Sequence, residues 1–111
     1  MIGENDLTIP AKMMDLCALQ HKLTAHNIAN ADVKDFHKVS ADFQAELRGA
    51  LESGDAETVK DVQAKISRAR ETGVDSEAEV ARMVRNELMF NTFAEVAATK
   101  FRILRSAITN R

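Results

Sequence analysis

Residues 76–111 read SEAEVARMVRNELMFNTFAEVAATKFRILRSAITNR. The stretch holds no Gly and no Pro, so nothing within it breaks a helix. Ser76 followed at the third place by Glu79 is a capping-box pattern, and acids between Asp75 and Glu79 lie where the helix dipole favours them. A helix is predicted to start at Ser76. Phe90, Ala94, Ala97, Phe101, Leu104 and Ile108 then recur in alternating steps of four and three, the spacing of a coiled-coil seam. Beside it runs a second row, Met89, Phe93, Val96, Ile103 and Ala107, interrupted by Lys100. Such a helix spans roughly 50 Å at 1.5 Å per residue, whereas a compact chain of this size has a radius of gyration of about 13 Å. The helix is therefore expected to protrude or to lie along a long partner.

Working outward, the 111 residues leave room for one small domain, and five Phe with no Trp or Tyr make a thick globular core unexpected. The apolar content is mostly Ala, Met, Val and Leu, which suits helix pairing. A net charge of −2 with interspersed signs leaves no general nucleic-acid footprint. After Glu95 the only charges are Lys100, Arg102, Arg105 and Arg111, which complement the helix dipole or would meet an acidic partner. One cysteine excludes an internal disulfide. No apolar run approaches the ~18 residues of a membrane span. The opening MIGENDLTIPAK lacks the basic start and apolar core of a cleaved signal peptide, so any export is expected by another route.

Residues 1–8 read as a polar leader, with Asp6 or Thr8 as caps and Pro10 tolerable in a first turn. Ile9 to Ala31 reads as a helix carrying Met13, Leu16, Leu19, Leu23 and Ile28 at helical spacing. Asn27 and Asn30 lie on one face of its end, either as a fraying C-terminus or as a polar knot where the helix leaves its partners. Ser40 is read as the cap of a short helix carrying Phe43, Leu47 and Leu51 and ending near Gly54. Asp55 is read as the cap of a further helix with Val59, Val62 and Ile66 on one side, stopped by Gly73. No alternating strand pattern or hairpin dipeptide is found.

The fold expected is all-α. Long N- and C-terminal helices pair as an antiparallel coiled-coil-like hairpin, with a short, solvated helical insert capping the turn. The corresponding segments are 1–34, 35–74 and 75–111.

Cys17 and His21, one turn apart, could reach one metal, but third and fourth ligands are missing, since His26 lies about 140° around the helix from His21. A small buried thiol beside partly exposed histidines is the plainer reading. Carboxylates are scattered along helical faces near Lys or Arg, and no phosphate loop, nucleophile elbow or HExxH is present. No catalytic, cofactor-binding or metal-binding residue is therefore predicted.

The run LTAHNIANAD resembles the N-terminal signature of the flagellar axial proteins, approximately ANNIANANTPGY. Asn27, Ile28, Ala29, Asn30 and Ala31 match residue by residue, and Phe36 takes the aromatic place. Val33-Lys34-Asp35 departs from the family's Thr-Pro-Gly, which leaves room for the first helix to continue. The C-terminal run is similar to the KF-x-x-LR-x-AI ending of the basal-body rod family, through Lys100, Phe101, Leu104, Arg105, Ala107 and Ile108. Val74 and Asp75 keep part of that family's VDLE pattern, with Ser76 in place of Leu. Within the family the spacing is most like the proximal rod proteins. The likeness covers residues 1–51 and 74–111, and the middle carries no alignable motif.

The resemblance implies a non-enzymatic structural subunit of the bacterial flagellar basal body, without cofactors, nucleic acid or small-molecule substrate. It implies export through the flagellar type III apparatus and placement in the periplasm-spanning rod, beside copies of itself, other rod subunits and FliE, the adaptor between rod and MS ring. The assembly interface is expected at Leu16, Leu19, Leu23, Phe90, Phe93, Ala97, Phe101, Leu104 and Ile108, with Asn27 and Asn30 setting the turn. A soluble cytoplasmic helical-bundle adaptor is the alternative from a different class.

Overall fold

The computed structural model describes residues 6–109; the first five residues of the predicted leader and the last two of the predicted C-terminal helix lie outside them. In chain order the elements are α1 (Thr8–Ala29), β1 (Val39–Asp42), α2 (Gln44–Ser53), α3 (Ala56–Lys60), β2 (Lys65–Arg68) and α4 (Ser76–Thr109). The fold is mostly helical, with long first and last helices, but it is not all-α. Val39–Asp42 pairs antiparallel with Lys65–Arg68, in a register that places Ala41 opposite Ile66.

Helix α1 opens where the Asp6 carboxylate accepts the Thr8 amide at 2.7 Å, and Pro10 sits buried in the first turn. Hydrogen bonding from the Thr8 side chain first, and then from its backbone amide, lowers the Asp6 carboxyl below its ordinary value. The helix ends at Ala29, and the chain reverses through a turn in which Asp35 adopts a left-handed backbone, φ 60°. A short polar side chain tolerates that region better than most. The continuation left open by the missing Thr-Pro-Gly does not occur.

Ser40, predicted to cap a helix, lies within β1, and α2 begins after Phe43 instead. The predicted stop holds: Gly54 closes α2 in the left-handed region, φ 69°, where glycine has no Cβ penalty. Asp55 caps α3 as expected, accepting from the Glu57 amide, but the helix lasts five residues and the chain then extends into β2. At α4 the capping acceptor is Asp75, whose Oδ1 takes the Ala78 amide at 3.2 Å. Glu79, read as the far half of a capping box, turns inward.

Helix α1 is the hub. Helix α4 runs along one side of it, while β1 and α3 pack on it elsewhere, with α2 against α3. Leu16, Leu47, Ala50, Val59 and Val62 form the buried cluster, with Ile9, Met13, Phe43 and Ala64 packed around it. The Lys12 ammonium also donates to the Lys60 carbonyl at 2.9 Å. The middle segment is thus no solvated cap at the turn. It folds back along α1 and supplies Val59 and Val62, which are almost wholly buried. Fully burying one aliphatic side chain is worth about 1.5–3 kcal/mol. The body remains elongated, 62 × 25 × 14 Å with a radius of gyration of 17.2 Å, because α4 extends beyond what α1 covers.

Candidate assembly interface

The seam of α4 can be followed along its length. Glu79 and Asn86 are buried, and Met83, Phe90, Phe93, Ala94 and Ala97 are half-buried. Beyond Lys100 cover thins: Leu104 stays half-buried, but Phe101 is 57 % and Ile108 65 % exposed. The cause is length, because α1 starts only at Thr8, and Asp6 already lies within electrostatic reach of Lys100. Among the described residues nothing of α1 remains to cover the last three turns.

At the other end the seam closes on a polar knot. The Asn27 side chain pairs with both backbone groups of Val39: its Nδ2 donates to the Val39 carbonyl and its Oδ1 accepts the Val39 amide, each at 2.8 Å. Alternate residues of a strand turn their backbone groups to opposite edges, so the amide of Asn27 takes the edge of β1 that β2 leaves open. The same Nδ2 donates to Glu79 Oε2 at 3.3 Å. Glu79, 2 % exposed, has Lys38 Nζ at 3.7 Å and Arg82 at 3.9 Å, so its buried charge is balanced from the connector before β1 and from its own helix. Among the described residues no buried side-chain polar atom lacks a hydrogen-bond partner.

Asn30 does separate work. Its Nδ2 donates to the His26 carbonyl at 2.8 Å, closing the end of α1, and His26 meets Phe36 edge-on with ring centroids 5.6 Å apart. The aromatic place of the signature thus packs against the helix end it follows.

The predicted interface residues therefore separate by environment. Leu16 lies in the buried cluster; Leu19, Leu23, Phe90, Phe93 and Ala97 are half-buried, with α1 packed along α4. Asn27 belongs to the knot and Asn30 to the helix end. Phe101 and Ile108 face outward. Sequence reading missed Glu79 and Asn86 as buried groups: they are reached from Phe90 only by steps of four, three and four, which break the seam's alternation at Phe90. It also missed the exposed row Val80, Val84 and Leu88.

Cys17 is a buried free thiol, and burial raises its ionisation above the ordinary thiol value. His21 is exposed on the next turn. No cluster of three metal-ligating side chains exists among the described residues, and no described helix is long and apolar enough to cross a membrane. A groove of about 540 Å³ opens between α1, α4 and the β1–α2 corner; Met13, Leu23, Phe43 and Met89 give it apolar walls, and Gln20 and Arg85 a polar margin. No family model and no curated protein matches this chain.

Proposed function

We propose that the chain is a structural subunit of the bacterial flagellar rod, of the proximal kind represented by FlgB, polymerising through its terminal helices into the axial drive shaft. The observation that carries the reading is the uncovered end of the α4 seam, where Phe101 and Ile108 hold coiled-coil positions without cover from α1. A second copy or another rod subunit would supply that cover. The groove beside α1 gives each subunit a receiving surface as well as a projecting ridge, as a head-to-tail lattice requires. At about 25 cal/mol per Å² of apolar area buried, several modest contacts would stiffen such a shaft.

The turn after α1 also supports the reading. Asp35 occupies the place of the family's Gly and adopts a left-handed backbone, which glycine takes without penalty. In this proposal α1 and α4 form an antiparallel coiled-coil-like hairpin, FliE joins the subunit to the MS ring, and the type III apparatus exports it. No catalytic step is assigned.

A soluble helical adaptor remains the second reading, favoured by the buried Leu16–Val62 cluster, which gives the monomer a core of its own. Deleting the gene in a flagellated host and imaging basal bodies separates the two. The rod reading expects loss of rod and motility, restored by the wild-type gene but not by Phe101→Asp or Leu104→Asp. Normal rods in the deletion strain, with no second copy of the gene, would overturn it in favour of the adaptor.

A further inference from the structure

The outer face of α4 carries a second, exposed apolar stripe, of which only Met89 also borders the groove beside α1. Val80, Val84 and Leu88 follow one another at four-residue steps, and Met89, Val96 and Ile103 continue beside them; all six are exposed, Leu88 by 63 %. At 100° per residue these side chains occupy roughly half the helix circumference, opposite the seam. Four exposed charges share that half-circumference: Glu77, Arg85, Glu95 and Arg102, of which Arg85 also borders the groove beside α1.

The order of those charges selects a partner. Turning a second copy antiparallel about a point between Met89 and Phe90 places residue n at the level of residue 179 − n. Glu77 then meets Arg102, Arg85 lies one residue from exact register with Glu95, and two-fold symmetry repeats both pairs. The same turn sets Val84 beside Val96 and opposes the two helix dipoles. Laid parallel in register, the stripe puts each charge against its own copy, which is repulsive.

From this charge complementarity we infer that the outer face of α4 is a self-complementary surface on which two copies of the chain pair antiparallel into a closed dimer. Under that turn α4 overlaps its copy over residues 76–103, about 42 Å, and at about 10 Å wide this offers a footprint of about 420 Å² per copy, or about 840 Å² in all, below the roughly 1,000 Å² of a stable specific interface. The dimer is accordingly weak and forms at high protein concentration. It does not depend on the rod reading, since it uses the face opposite the seam; in a rod it would be a state of the free subunit.

Sedimentation velocity on the full chain, from low micromolar to millimolar concentration, tests the inference. The expected result is a monomer that passes to a dimer and stops there. Glu77→Arg and Arg102→Glu should each abolish the dimer, while an equimolar mixture of the two variants should restore it, because each chain then supplies the opposite charge at both ends. Leu88→Lys should abolish it with an unchanged melting temperature. A chain that stays monomeric at millimolar concentration overturns the inference. So does association that continues past two, or a mixture no more dimeric than its components.

Discussion

The two ends of α4 belong to one helix with one seam, and they differ only in what lies against them. Near its start Glu79 is 2 % exposed and held by Asn27, Lys38 and Arg82; near its end Phe101 is 57 % exposed. The polar residue is inside and the aromatic one outside, the reverse of what side-chain chemistry alone would dictate. A buried carboxylate is tolerated because two cations and an amide compensate it, and an exposed Phe results where the covering helix has run out. The first end serves the monomer's fold, and in the proposed rod the second serves contact between subunits.

The sharpest way to break this contrast is at the clamped end. Asn27→Ala should cost about 3 kcal/mol of stability, since it removes two hydrogen bonds to Val39 and leaves that strand edge and Glu79 short of a donor. A lower urea midpoint with an unchanged slope would report it. A loss below about 0.5 kcal/mol would mean that water replaces the amide freely and that the knot is not what holds the turn.

Lys38→Met is a milder cut. It removes one of two cations beside a buried carboxylate, but Lys38 is itself a third exposed, so the expected cost is about 1–2 kcal/mol, below the 3–5 of a fully buried pair. Thermal unfolding of the variant beside wild type at low and high salt would measure it.

At the bare end the monomer should hardly respond. Phe101→Ala is expected to change stability by less than about 0.5 kcal/mol, because an exposed ring has little burial to lose. Hydrogen exchange should agree, with amides of 101–109 exchanging faster than those of 83–97. A large loss of monomer stability in Phe101→Ala would show that the last turns are already packed and would remove the contrast.

The gentlest test lies at Cys17. Its folded thiol ionises above the ordinary value of 9.0 because it is buried, so the native state keeps its proton where the unfolded chain loses it. Stability present below pH 9.0 should therefore decline as pH rises through the folded value. Denaturant midpoints on either side of that value, compared with Cys17→Ala, would reveal the slope, and an identical slope in the variant would assign it to other groups.

By itself the sequence determined the start of α4 near Ser76, the length of α1 to within two residues and the stop at Gly54, because caps, glycines and 3.6-residue periodicity act between near neighbours. Only the tertiary structure decided the β1–β2 pair, since VSAD and KISR are too short and too polar to announce strands, and they pair across 22 intervening residues with Asn27 holding the far edge. It also decided that Glu79 goes inside and that Val59 and Val62 lie on α1. Those outcomes depend on groups far apart in the chain meeting to balance a charge or exclude water, which no local spacing encodes.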